Sequence, residues 1–444
     1  MIYCKRCLYP SNHPYGMIFD ENGICMGCRV HEEKDQLDWK ERFQKLKKIT
    51  HNSKIMSNKK FDCIIPVTGG GDSYYIVHVA KNLLGMNPLL VNYNSHYNTK
   101  LGIRNLANLT TVFDCDMVTS TISPNHLKKI TSQTIKQYGS IYWQVLSGYT
   151  TFPVQVAVKF RIPLIIWGVH PWSEQTGMFS HLDEVEMTHR CRKEHALMGI
   201  SAEDLINDRS EVLRSEIQQF IYPYDNELEK VGVRGIYLSN YIRWDSKTQH
   251  EQMIDEYGYE TAEMQRTFNT YEDVHCFHSA GLHDYIKFLK YGYSKVTDHA
   301  CREIRLKRMT RETGIKMVEK YTNKFPNDLN LFLKWIGMNE EEFFLYVDKF
   351  RDKRIWKHNG NKWSLRDSIT NHIESDDPFT KNLKDNCKFR ITKNAEPSIK
   401  DNEYLLMGRG YIDSRNYGSQ EDRSVGGGMT KRKWKKPSIV GNYE

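Results

Sequence analysis

The chain of 444 residues is too long for one ordinary domain and long enough for two or three units around substantial cores. Hydrophobic residues at 39% and aromatic residues at 12% exclude a disordered chain. Of the net charge of +8, Lys431, Arg432, Lys433, Lys435 and Lys436 supply five, so the rest of the chain is too balanced to argue for a nucleic-acid partner.

In chain order, residues 1–30 are punctuated by Pro10, Pro14, Gly16, Gly23 and Gly27 and read as a loop-rich knuckle. Within it Cys4-x-x-Cys7 and Cys25-x-x-Cys28 stand seventeen residues apart, the spacing by which two thiolate hairpins close a tetrahedral Zn2+ site. Four cysteine ligands leave no open position for substrate water, so the zinc is expected to be structural. The remaining cysteines are scattered, which fits a reducing compartment and one metal site. The opening MIYCKRC has no signal-peptide pattern, and the longest apolar stretch, 154–169, is broken by Lys159 and Arg161; a cytoplasmic location without membrane contact is expected.

A polar helix over roughly 31–49 completes the first unit, 1–49. Residues 61–67 form an apolar run that ends at glycines, and 73–84 carry apolar residues at helical spacing before Gly85, which predicts strand, tight turn and helix. Strands follow at 88–93, 117–122 and 162–168, with a helix at 98–113. The alternation predicts an α/β unit over 50–220, a mostly parallel sheet with its ligand beyond the C-terminal ends of the strands. Past 220 the strands fade. Residues 221–380 read as a helical unit for substrate or partner, and 381–444 as a mobile basic tail, expected to contact a partner through its KRKWKK run.

The turn itself is Thr68-Gly69-Gly70-Gly71-Asp72-Ser73. Three glycines between a strand and a helix let backbone N–H groups point at an oxyanion where the helix dipole also favours negative charge. The lysine of a Walker A loop is absent, which excludes that mode of γ-phosphate transfer. Asp72 would repel phosphates unless it holds Mg2+ or braces the turn. Asn92 and Tyr93, at a strand end, are candidates to frame adenine. Arg104 is a candidate for the triphosphate, with an ordinary helix-surface arginine as the alternative.

Arg302, Arg305, Arg308 and Arg311 recur at i, i+3 and would line one helical face, suited to a pyrophosphate or carboxylate or else paired with Glu303 and Glu312. Arg305 and Arg308 are the preferred candidates. His275, Cys276 and His278, and separately His189, Cys191 and His195, have no carboxylate or C-x-x-C partner at ligand spacing, which argues against a second metal.

The string TGGGDS after its strand resembles the pyrophosphate loop of PP-loop ATP pyrophosphatases. The segments Asp284–Tyr293, Thr297-Asp298-His299 and Arg305–Ile315, together with the cysteine knuckle, resemble the N-acetyl sugar amidotransferases of surface-polysaccharide and flagellin-sugar pathways (WbpG/PseA type) over roughly residues 1–350. The resemblance implies an adenine nucleotide alpha hydrolase-like PP-loop domain with an N-terminal zinc knuckle and a helical C-terminal domain. It also implies ATP and Mg2+ as reactants, AMP and pyrophosphate as products, and conversion of the acetamido group of a nucleotide-activated sugar into an acetamidino group, as in O-antigen biosynthesis.

On that reading Asp298 and His299 position ammonia or take its proton; a helix cap and a buried histidine are the plainer alternatives. Residues 168–171, Gly-Val-His-Pro, stand where the family usually shows Gly-Glu-Asn-Pro. No cysteine has the flanks of a glutaminase nucleophile, so ammonia is expected from a separate class I glutaminase, with a cyclase-like subunit similar to imidazole-glycerol-phosphate synthase. Two rivals are a tRNA-thiolating PP-loop enzyme and a non-catalytic zinc-ribbon scaffold. The first would want a second cysteine pair, which Cys63, Cys115, Cys191, Cys276, Cys301 and Cys387 do not form; the intact Asp72-Ser73 argues against the second.

Overall fold

The computed structural model describes residues 1–57, 60–207, 210–360, 362–381 and 395–396. The expected basic tail, 381–444, therefore lies almost wholly outside the described residues.

Strands β1 (Cys63–Pro66), β2 (Pro88–Asn94), β3 (Met117–Thr121), β4 (Leu164–Trp167) and β5 (Arg234–Tyr237) form a parallel sheet in the order β3-β2-β1-β4-β5. Alternate residues feed two cores. Cys63 and Ile65 join Leu90, Ile166 and Ile236 on one face, while Ile64 joins Leu89, Val91 and Ile165 on the other. Burial on both faces makes such strands continuous apolar runs, which is why β1, β2 and β4 stand out in the sequence.

The helices before and around this sheet are α1 (Met26–Glu33), α2 (Trp39–Ser57), α3 (Gly71–His78), α4 (Lys100–Val112), α5 (Pro124–Tyr138), α6 (Trp143–Phe160), α7 (Pro171–Thr176), α8 (His189–Cys191), α9 (Asp225–Val231) and α10 (Ser246–Tyr257). Helix α3 runs on through a π-helical turn at Val79–Leu83. Local signals set several ends: Thr99 caps α4 by accepting the Gly102 N–H at 2.9 Å, and α5 starts at Pro124 and stops at Gly139 with φ 56°. Helix α2 outruns the expected boundary at 49 and lies on the sheet unit, with Leu46 in its core and Arg42 donating to the Asn240 carbonyl at 2.7 Å.

The boundary expected at 220 cuts through the sheet. Strand β5 pairs with β4 beyond it, and α10 packs against α3. Four residues beginning with an exposed arginine do not register as an apolar run, so β5 is silent in the sequence. The helical unit comprises α11 (Leu282–Tyr291), α12 (Lys295–Arg305), α13 (Arg311–Thr322), α14 (Leu329–Ile336) and α15 (Glu340–Val347), followed by an antiparallel pairing of Trp356–Asn359 with Lys362–Leu365. Thr261–Ala262 pairs in parallel with Ala395–Glu396.

The knuckle is not a separate body. Leu8 and Tyr9 share a core with Val296, Ala300 and Ile304 of α12 and Ile315 of α13, the leucine, valine and isoleucine side chains each contributing about 1.5–3 kcal/mol when fully buried. Among the described residues no helix is long and apolar enough to cross a membrane.

Two half-buried histidines make stability depend on pH. His283 is stacked on Tyr142 at 4.2 Å, and burial pulls it down to about 3; burial, with Lys34 nearby, pulls His31 down to about 2. In the unfolded chain both take up a proton near 6.5, which the folded state refuses, so stability is complete above that pH and falls below it. Acidification from pH 7 to pH 5 is expected to lower the unfolding free energy by about 2 kcal/mol per such histidine. Urea unfolding at the two pH values checks this, and His283→Gln should flatten the dependence by one histidine's share.

Candidate active site

The glycine turn sits at the C-terminal end of β1, where the strand order departs to β2 on one side and β4 on the other, the crevice in which open parallel sheets hold ligands. Gly69 has φ +78°, and a Cβ there would lie 2.6 Å from the Gly102 carbonyl oxygen. At Gly71 a Cβ would meet the His250 ring at 2.7 Å, so the backbone can pass only as glycine. The turn is stitched by its own hydroxyls: the Thr68 N–H donates to Ser73 Oγ at 3.0 Å and the Gly70 N–H to Thr68 Oγ1 at 3.3 Å. Gly70 caps α3 without a side-chain bond; the Ser73 N–H turns back to the Gly70 carbonyl at 3.0 Å, so an anion here would meet the positive end of the helix dipole. Asp72 Oδ1 lies 2.7 Å from His250 Nε2 on α10, while its side chain remains 42% exposed. One oxygen braces the turn and the carboxylate stays accessible to a cation.

Across a cleft of about 340 Å³ the turn faces α12 and the segment before α11. Lys295 Nζ pairs with Asp273 at 2.7 Å, and Arg302 takes both oxygens of Glu272 at 2.7 and 3.1 Å. His299 lies between Thr267 Oγ1, at 2.7 Å, and Glu272 Oε2, at 3.1 Å. Burial alone would raise the Glu272 carboxyl, but Arg302 and His299 hold it well below the ordinary range; Lys295 does the same for Asp273. Both are therefore ionised and paired.

Two histidines that the sequence did not single out for this role flank the turn. A Cβ on Gly70 would lie 3.2 Å from His275 Nδ1, and this nitrogen, like His250 Nδ1, is buried with no protein hydrogen-bond partner. Burial pulls the His275 pKa down, so its imidazole is neutral. His250 belongs to no motif, and His275 appeared only within a string examined for metal ligands.

The other predicted residues divide. Thr68, Gly70, Gly71, Asp72, Asp298, His299 and Arg305 border the cleft, and Gly69 and Ser73 shape the turn. Asp298 is tied to Lys287 and to the Tyr9 hydroxyl at 2.8 Å, an anchor between knuckle and helix. Arg308 is a correction: it pairs with Asp245 at 2.7 Å and Glu303 at 2.6 Å and does not line the cleft. Helix α12 ends at Arg305, so the i, i+3 series does not continue as one face, and Arg311 turns to the carbonyls of Cys7 and His372. Arg302 is the member that faces the cleft.

Three further candidates are also corrected. Asn92 Nδ2 donates to the Val67 carbonyl at 2.8 Å, Tyr93 is buried beneath α6 with its hydroxyl on Gln144 at 2.7 Å, and Arg104 pairs with Glu260 at 2.5 Å. Each is absorbed by packing between neighbouring elements, and none lines the cleft.

The four knuckle cysteines come together, buried, with Sγ···Sγ distances of 3.5 Å for Cys7–Cys25 and 3.6 Å for Cys25–Cys28. Thiolates about 2.3 Å from a tetrahedral zinc stand roughly 3.7–3.8 Å apart, so the set fits the ion. Arg305 places its Nε 3.4 Å from Cys28 Sγ and one terminal nitrogen 3.6 Å from Cys25 Sγ and 3.9 Å from Cys7 Sγ. Four thiolates around Zn2+ would leave a net negative charge, which this guanidinium is placed to offset. Arg305 is thus a partner of the cluster as well as part of the cleft wall. Arg305→Met, which removes one partner of a buried ionic contact, is expected to lower stability by about 3–5 kcal/mol and to speed zinc loss to a chelator. Thermal unfolding and zinc release followed with a chromogenic chelator check both.

Comparison with known proteins bears on the half of the cleft that faces the turn. The C-terminal domain of WbpG-like LPS biosynthesis proteins matches residues 251–369. An uncharacterized protein of Methanocaldococcus jannaschii is 28% identical over 119 residues, which is 26% of this chain and 41% of that relative, so less than half of the relative is spanned. Among solved structures, NMN synthetase from Francisella tularensis aligns at 14% identity over 49% of this chain and 94% of its own, with a TM-score of 0.26. The NH3-dependent NAD synthetase from Campylobacter jejuni subsp. jejuni, solved with nitrate, aligns at 14% identity over 32% and 62%, with a TM-score of 0.25. The fold reading rests on the sheet and its turn. The match at residues 251–369 to the C-terminal domain of WbpG-like LPS biosynthesis proteins takes in the helix that faces the glycine turn.

Proposed function

We propose that this chain transfers AMP from ATP to the acetamido oxygen of a nucleotide-activated N-acetyl sugar and lets ammonia displace it, giving an acetamidino sugar, AMP and pyrophosphate. The observation that carries the reading is the cleft in which the TGGGDS turn opposes a WbpG-like domain. An amide carbon is a weak electrophile whose oxygen does not leave as oxide. Adenylation forms an O–P bond as the α–β phosphoanhydride breaks; ammonia then forms the new C–N bond while the C–O bond breaks and the electrons leave with AMP.

The chain's own groups suit these steps. The positive end of the α3 dipole, with the neutral His275 beside Gly70, opposes the charge that develops on the departing pyrophosphate. The accessible oxygen of Asp72 would hold Mg2+, which supplies charge neutralisation at the phosphates when bound. Glu272 and Asp273, kept ionised by Arg302 and Lys295, line the wall where the cationic amidine product forms. Ammonia would come from a separate glutaminase, working with a cyclase-like subunit similar to imidazole-glycerol-phosphate synthase.

The test is incubation with ATP, Mg2+, ammonium and a panel of UDP- and CMP-linked N-acetylated sugars. Expected are AMP, pyrophosphate and a sugar whose mass has fallen by the difference between O and NH. Gly71→Ala drives a Cβ into the His250 ring, and displacing the turn should lower AMP formation by about a hundredfold with the fold retained by circular dichroism. ADP as the nucleotide product, or sulfur appearing in tRNA, overturns the proposal.

A further inference from the structure

A second cluster of metal-ligating side chains lies behind the cleft wall, outside the groups used above. Its members come from two segments that the sequence does not join. His170 follows β4, between Val169 and Pro171 of the cleft lining. Cys191 ends α8, and His195 lies four residues on in the π-helical turn Arg192–Ala196, which presents both on one side. Local spacing argued against a metal here because His189, Cys191 and His195 have no carboxylate or C-x-x-C partner at ligand spacing. In the fold His189 stacks on Tyr222 at 4.5 Å instead, and His170 takes its place.

We propose that His170, Cys191 and His195 bind a second zinc ion, with one coordination position left to a small donor. One ligand atom from each of the three lies within 4.8 Å of the others. His170 Nε2 stands 3.7 Å from Cys191 Sγ. Nitrogen at about 2.0 Å and sulfur at about 2.3 Å from a tetrahedral zinc stand roughly 3.5 Å apart, so this pair is spaced for one shared ion. His195 Nδ1 is buried with no protein hydrogen-bond partner, an orphaned donor or acceptor that a metal would satisfy. His170 and Cys191 are 3% and 6% exposed.

The surroundings hold the rings in place. His170 Nδ1 lies 2.9 Å from Ser173 Oγ, the kind of outer contact that fixes a ligating imidazole. With the ion on Nε2 the ring proton sits on Nδ1 and goes to that hydroxyl, while the Ser173 N–H, now 3.2 Å from Nδ1, gives up its bond to the ring. The His195 carbonyl accepts from the Tyr15 hydroxyl at 2.6 Å and from Trp172 Nε1 at 3.2 Å, and Phe179 packs against both histidines. The Tyr237 hydroxyl, 3.9 Å from Cys191 Sγ, is a neighbour able to support the fourth position. Two imidazoles and a thiolate select zinc over magnesium or calcium, which take oxygen ligands.

Zinc content of the full chain, purified without chelator and dialysed against metal-free buffer, tests this by elemental mass spectrometry. Two zinc ions per chain are expected from the two clusters, falling to one in Cys191→Ser and in His195→Gln, with the knuckle zinc retained. Cobalt provides a check on the wild-type chain alone: a second equivalent should add visible bands after the four-thiolate site has filled. One zinc per wild-type chain with no second cobalt signal overturns the site, as does a folded Cys191→Ser chain that still carries two.

Discussion

The contact between Arg305 and the knuckle sulfurs governs how the rest of this molecule is arranged. It joins residues near the start of the chain to the last turn of α12, and the same helix carries Lys295, His299 and Arg302 on the wall opposite the glycine turn. The cysteine cluster is therefore tied directly to a helix that lines the cleft. Asp298, held by Tyr9 and Lys287, is a second pin between the same two elements. The cysteine cluster and the cleft wall are thus mechanically one unit, although four cysteine ligands would leave a bound ion no place in any chemistry there.

The cleft wall is a balanced set of charges rather than a positive patch. Glu272 and Asp273 are each matched by a cation within salt-bridge distance, and His299 is held by Glu272 and Thr267. Such pairing keeps long side chains in fixed rotamers inside a buried space, where an unpaired charge would be costly. On the facing side the turn offers backbone amides and neutral imidazole. A polyanion entering between them meets oriented dipoles first and mobile charges hardly at all.

Much of this was legible in the sequence wherever the signal is local. The glycine turn announces itself because strand, turn and helix are contiguous, and the knuckle because ligand spacing within each C-x-x-C is fixed by the hairpin that presents it. What stayed hidden depends on contacts between distant segments. His250 reaches Asp72 from α10, and His275 reaches Gly70 because its backbone is pressed against Gly102, where a Cβ would lie 2.4 Å from its Cα. Arg305 and Arg308 share a periodicity that is silent on whether a guanidinium meets a nucleotide, a sulfur cluster or an acidic pair. Strand β5 was missed because four residues led by an exposed arginine make no apolar run, and the boundary at 220 was drawn through the sheet as a result. The fate of the KRKWKK tail lies outside the described residues.

The distance along the chain between the sulfurs and their guanidinium has a consequence for biosynthesis. Cys28 and Arg305 are 277 positions apart, yet they touch. At translation rates of about 5–20 residues per second, roughly 14–55 s separate emergence of the last thiol from emergence of the arginine. Through that interval Leu8 and Tyr9 have no late helix to cover them, and any thiolate charge of the knuckle has no guanidinium beside it. Ribosome-bound chains of this protein therefore present a half-finished surface that only the late helices close, and any pause between codons 28 and 305 prolongs the exposure.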